Sequence, residues 1–257
     1  MKTRQKLRKG IILISFFLFP AVFYYLSPVV IIRSTLNGII NGSFIVFILL
    51  FLSALFLGRA YCGWVCPGAG CQEAIFVARD KKVTKGNFIK WVIWIPWLGS
   101  ILILAIRNGG YREVDFFYET KYGLSISDIP SLIAYLCVLS FLIVMPAFIF
   151  GKRSFCHHLC WMAPFMILGR KIRNINKWPS LQLKAESENC RHCNICTKSC
   201  PMSLPVESMV ENNEMENSEC ILCGTCIDKC KYDIIKFTFL TKHCSDSQQI
   251  HPIKPFV

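Results

Sequence analysis

Four long apolar runs dominate the first two thirds of the chain, at residues 11–32, 39–57, 91–106 and 132–150. Short polar segments separate them. A bilayer core takes about 20 apolar helical residues at about 1.5 Å rise each. Three of the runs reach that length, and the third does so if it begins at Phe88 with Lys90 snorkelling to the surface. Pro20, Pro28, Pro96 and Pro146 fall inside the runs, where a membrane helix accommodates them as kinks. Buried helices of a soluble core fit poorly, because runs 11–32 and 132–150 have no polar face. The pattern predicts an α-helical membrane protein. Residues 1–178 form four transmembrane helices in two pseudo-repeats, residues 179–240 a small α+β domain, and residues 241–257 a tail. The basic segment ahead of the first run is expected to stay as part of an uncleaved helix. That run is too long for a signal core, and no small-x-small site follows it.

Charge orients these spans. With the N-terminus inside, the inner flanks carry seventeen Lys and Arg and the outer loops four, namely Arg33, Arg107, Arg112 and Lys121. The positive-inside bias places both termini in the cytoplasm of a prokaryotic (inner) membrane. It also accounts for the net charge of +13 without a nucleic-acid partner. Membrane lipid is the expected partner of the basic face. Nine of the sixteen acids lie between Glu186 and Asp233; they either solvate the small domain or offer a face to a basic partner.

Within that domain one phrase is written twice. The first copy is Cys190, Cys193, Cys196, Cys200 and Pro201, and the second is Cys220, Cys223, Cys226 and Cys230, 30 residues later. The C-x2-C-x2-C-x3-C run resembles bacterial two-cluster ferredoxins, and this implies two [4Fe–4S] clusters. In that pattern the fourth ligand comes from the other copy. The resemblance therefore implies one cluster on Cys190, Cys193, Cys196 and Cys230, and a second on Cys220, Cys223, Cys226 and Cys200. Zinc has no use for four cysteines in such a run, and disulfides conflict with a reducing compartment. Lys231 replaces the usual proline after the second copy, which removes no ligand.

The membrane half repeats too. Two spans lead into Cys62-x3-Cys66-Pro67 and two more into Cys156-x3-Cys160, each followed by an apolar-then-basic segment, at 74–82 and 161–173, expected to lie at the interface. In a helix, residues four apart share a face. Four thiols from two such motifs could converge on an iron–sulfur centre, Zn²⁺ or Cu(I), could cycle as dithiols, or could merely pack. Cys62, Cys66, Cys156 and Cys160 are thus candidate ligands of a third redox or metal site.

Cys62-Gly-Trp-Val-Cys66-Pro67, with Gly68, Gln72 and Glu73, resembles the C-G-W-x-C-P-x-G…Q-E signature of the membrane-bound polyferredoxins. That family includes the membrane quinol dehydrogenase subunit of periplasmic nitrate reductase systems. It also includes the nitrous oxide reduction regulator and a cytochrome oxidase assembly ferredoxin. The second motif departs from the signature, with Trp161 where proline is usual and Pro164 three residues on. The resemblance implies electron transfer at the membrane, with redox partner proteins and with quinol as the expected carrier. Such a chain would be a redox subunit of an oxidoreductase complex. A different class is a copper-handling or oxidase/reductase assembly factor using the same clusters. A redox sensor lacks a visible DNA-binding or kinase module.

Weaker signals remain. Cys71, Cys137 and Cys244 have no partner at ligand spacing, and Cys137 is expected to pack in mid-span. His157 and His158 sit inside the second rim motif and could accept protons or bind metal. No C-x-x-C-H, G-x-G-x-x-G or P-loop occurs, so covalent haem, dinucleotide and NTP sites are not indicated. Loop 108–128 carries Tyr111, Phe116, Phe117, Tyr118 and Tyr122, expected as interfacial anchors.

Overall fold

The computed structural model describes residues 3–75, 81–83 and 86–240. Helices dominate, and their ends follow from local chemistry. Helix Gly42–Leu57 starts where the Asn41 side chain accepts from the Phe44 N–H, 2.9 Å away. It stops at Gly58, whose φ of 56° ends it in the left-handed half of backbone space. The last apolar run spans Ile129–Phe150. It opens on a reciprocal cap between Asp128 and Ser131 and passes through a π-helical stretch, Val138–Val144. It ends at Gly151, φ 109°. A side chain at Gly151 would meet the Lys81 carbonyl.

Ile89–Arg107 and Ile129–Phe150 are long and apolar enough to cross a membrane, and only about a fifth of each is covered by the rest of the protein. Core helices of a soluble protein would be mostly covered. Gly42–Leu57, with 16 residues, reaches about 24 Å.

The first apolar run departs from the expected single span. It is broken into Thr3–Phe17, Phe19–Val22, a 3₁₀ turn Tyr24–Leu26 and Pro28–Leu36. Prolines cause the breaks. Pro20 and Pro28 supply no N–H, and Ser27 before Pro28 is extended, φ −91°, ψ 123°, as a residue preceding proline prefers. The broken pieces turn Phe19, Phe23, Leu26 and Ile31 into the core.

Residues beyond 179 form a small α+β unit. Strands Ser180–Ala185 and Ile235–Leu240 pair antiparallel, Ser180 opposite Leu240 and Ala185 opposite Ile235. They bracket both cysteine runs and the short helices Ile195–Lys198, Val206–Glu211 and Thr225–Lys229. Its core of Met202, Val206, Val210, Ile221 and Leu222 is continuous with Ala54, Cys62, Cys156 and Met166 of the membrane half.

Several expectations need correction. Lys90 does not snorkel. It is buried and contacts Glu219 at 2.5 Å. Arg170 and Arg173, expected as interfacial anchors, are buried against Glu216 of the small unit. Glu216, Glu219 and Asp228 therefore do more than solvate; each pairs with a cation of the membrane half. Cys137 is exposed rather than packed. Cys71 is buried, and Cys244 lies outside the described residues. Of the segment 74–82, residues 76–80 also lie outside them.

Candidate functional site

The two ferredoxin-like runs repeat in backbone as well as in sequence. Two residues after the first cysteine of each run, His192 and Leu222 have φ of 48° and 50°. Four residues after it, Asn194 and Gly224 have φ of 56° and 70°. Ser203 and Asp233, three residues past each final cysteine, match at 54° and 50°. Alternating left-handed residues curl a loop so that its N–H groups face inward. Such concavities hold anions, iron–sulfur clusters among them.

Cys200, Cys220, Cys223 and Cys226 line one cavity, walled by Leu183, Met202, Leu204, Val206, Met209 and Met215. Their thiols lie within electrostatic reach of one another. Burial pushes the Cys200 thiol up to about 12, so an unligated thiol there is neutral, and a metal would have to displace its proton. This is the chemistry of a cluster cradle: four sulfurs, an apolar shell and no competing side-chain acid. The other four differ. Cys190, Cys196 and Cys230 are half-buried and Cys193 is exposed. The first run faces solvent while the second faces the membrane half.

The rim motifs also correspond. Helices Ala60–Trp64 and Ser154–His158 each contain the first cysteine and stop before the second. The Cys66 and Cys160 N–H groups then close back on the Tyr61 and Phe155 carbonyls, at 3.0 and 2.9 Å, a six-to-one closure of the helix end. The thiols therefore do not simply stack on a helix face. All four are nonetheless buried and mutually within electrostatic reach. Cys62 Sγ lies 3.4 Å from Met166 Sδ, and Gln72 Nε2 donates to Cys156 Sγ at 3.4 Å. Burial pushes the Cys66 thiol up to about 12.

Among the described residues, the one His/Cys/Asp/Glu trio whose ligand atoms all lie within 4.8 Å of one another is His192, Glu207 and Glu211. No three rim thiols converge that tightly. A single zinc with Zn–S of about 2.3 Å needs its sulfurs about 3.8 Å apart. His157 is buried, and burial lowers it to about 4, so it is neutral. Its Nδ1 meets Asn87 Oδ1 at 2.6 Å. His158 meets the Ser154 carbonyl.

The second run is docked onto the rim. Trp64 Nε1 donates to the Leu222 carbonyl (3.0 Å), Arg170 to that of Cys220 (3.0 Å) and Gln5 to that of Cys223 (3.0 Å). Gly63 explains the close approach. A Cβ there would strike the Ile221 carbonyl and the Cys223 backbone. The sequence reading missed this role and missed Arg59 and Arg153, which it counted as flank charges. The repeated R-x2-C-x3-C spacing was the available signal.

Comparison with known proteins follows the same division. A 4Fe-4S binding domain matches twice, at residues 42–86 and 132–179, once per rim motif. A 4Fe-4S dicluster domain matches residues 156–235. The chain is similar to the ferredoxin-type polyferredoxins. An uncharacterized protein of Methanocaldococcus jannaschii is 24% identical over 80% of this chain and 83% of its own length. The putative electron transport protein YccM of Escherichia coli is 22% identical over 69% of this chain and 50% of its own. Ferredoxin-type protein NapH of Haemophilus influenzae is 21% identical over 77% of this chain and 69% of its own. This chain thus spans half the length of YccM. No solved structure matches it. It is an electron-transfer protein of the 4Fe-4S type.

Proposed function

We propose that this chain is a four-span membrane protein with a cytoplasmic two-cluster domain, carrying electrons between quinol and partner redox proteins. Cys190, Cys193, Cys196 and Cys230 would hold one [4Fe–4S] cluster, and Cys220, Cys223, Cys226 and Cys200 the other. The clusters supply one-electron chemistry; the protein ligates, shields and spaces them. The observation that carries the reading is the docking of the second cysteine run on the rim thiols through Gly63, Trp64 and Arg170. Such docking keeps membrane and cluster domains at one fixed separation. A small apolar cavity lies beside the rim. Phe19, Phe23, Leu26, Ile143 and Trp161 line it, and Cys66 forms part of its wall. It lies where the broken first run meets the π-helical stretch, a helix irregularity common at functional sites.

One observation favours a second reading. Soft sulfur donors, Cys62 with Met166 beside it, suit Cu(I), as a copper-handling or assembly factor would require. The deciding experiment compares quinol-driven with dithionite-driven reduction of the clusters in nanodiscs. The electron-transfer reading expects both to reduce native protein. It expects quinol alone to fail when Cys62 or Cys156 is replaced by Ser. Quinol that never reduces native protein, with tight Cu(I) binding at the rim, would favour the copper role.

A further inference from the structure

The rim thiols lie between two buried ion triads. In one, Glu73 accepts from Arg8 at 2.8 Å and from Arg153. In the other, Glu219 accepts from Arg59 at 2.7 Å and from Lys90 at 2.5 Å. Arg59 and Arg153 occupy matched places, each three residues before the first cysteine of its motif. Both are fully buried. Nε and Nη2 of Arg59 and Nε of Arg153 have no oxygen or nitrogen partner among the described residues, and the Arg59 guanidinium lies against the Cys62 thiol. Both guanidinium charges act on Cys62 and on Cys156. Four cations thus share the two carboxylates of these triads, an excess of two positive charges, and buried Arg170 and Arg173 share Glu216 beside them, adding one more. Unopposed buried charge is strongly destabilising, and four neutral thiols would oppose none of it.

We infer that Cys62, Cys66, Cys156 and Cys160 together hold one anionic iron–sulfur centre shared between the two halves of the chain, with Arg59 and Arg153 as its positioning residues. Each half matches a 4Fe-4S binding domain but brings only two rim thiols, so a full ligand set needs both. A core of charge about 2+ on four thiolates is a dianion, which offsets most of the excess; each thiol gives its proton to solvent on ligation. The arginine guanidinium N–H groups would donate to its sulfurs, as hydrogen bonds that tune cluster potentials do. A single zinc ion on four thiolates would carry the same charge, and the iron and sulfide counts below separate the two.

This inference rests on the iron–sulfur reading above, and the test separates the two. Iron and acid-labile sulfide are counted on anaerobically purified full-length protein, with Mössbauer spectra. Two cubanes alone give about eight irons per chain, and a rim centre raises this to about ten or twelve. Cys62→Ser should return the count to about eight with both cubane signals intact. Eight irons in native protein and variant alike would overturn the rim centre and leave the two-cubane reading standing. Fewer than eight in native protein, unchanged by Cys62→Ser, would overturn both. For the arginines the readout is a potential. Arg59→Gln and Arg153→Gln should move the rim signal to more negative potential, and Arg59→Lys should restore part of the shift. Unmoved potentials in folded variants would remove the arginines from the account.

Discussion

Glu219→Gln is the most informative single change. Glu219 belongs to the cluster domain, yet its two partners, Arg59 and Lys90, belong to the membrane half. Its carboxylate is 9% exposed and both cations are 0% exposed. Glutamine keeps the shape and one acceptor but removes the charge that both cations face. Breaking a buried ion pair from one side costs about 3–5 kcal/mol, because the remaining charge stays buried and unpaired. The cost falls on the docked state alone, since undocking lets water reach Arg59 and Lys90. Taking the lower figure, the undocked population rises on the order of 100-fold. Glu216→Gln is the internal control. Glu216 is 26% exposed and Asn174 also donates to it, so its effect should be several-fold smaller. Hydrogen exchange of residues 216–224, read by mass spectrometry in nanodiscs, measures the opening directly. Exchange in Glu219→Gln equal to native would refute the claim that this triad holds the domains together.

Other outcomes follow from the same contacts. Gly63→Ala forces a methyl against the Ile221 carbonyl and the Cys223 backbone, and such overpacking costs about 1–3 kcal/mol. It should loosen the same segment in hydrogen exchange, whereas Gly99→Ala, with open space around it, should not. Burial alone would raise the Glu219 carboxyl, but Arg59 and Lys90 hold it below its usual value. Docking is then expected to stay level from neutral pH to about 4.3 and weaken only as pH falls further through the depressed value. Loss of docking between pH 8 and pH 6 would contradict that sign. Asp128→Ala removes the cap of Ile129–Phe150 and should lower stability, seen as a fall in Tm.

The two ferredoxin-like runs and the two rim pairs were legible from spacing alone, because ligand spacing is a local property. Gly63 was legible only as part of a signature. Its reason is the backbone of Ile221 and Cys223, about 160 residues away, and no local pattern reports so distant an approach. The same holds for Lys90, Arg170 and Arg173, whereas Arg59 and Arg153 were marked by their matched place in the repeat. A positive charge at the end of an apolar run looks alike whether it meets a lipid headgroup or a buried carboxylate. Only the acids of the cluster domain, Glu216 and Glu219, decide between the two. The first apolar run misled for a different reason. Its length argued for one helix, while Pro20 and Pro28, read as tolerable kinks, break it into four pieces. The sequence suggested helix-face stacking as the way each rim pair aligns its thiols. The helices instead end before Cys66 and Cys160, and the sulfurs approach through the closing turns.

The central claim is that this chain carries electrons on two clusters held by eight cysteines. Anaerobic reductive titration followed by EPR tests it most directly. The account predicts about two electrons taken up per chain by the cubanes, with spectra broadened by coupling between two neighbouring clusters. Cys223→Ser should abolish that coupling, leaving the signal of the Cys190, Cys193 and Cys196 cluster. Native protein that takes up no electrons, shows no cubane signal and contains stoichiometric zinc instead would contradict it.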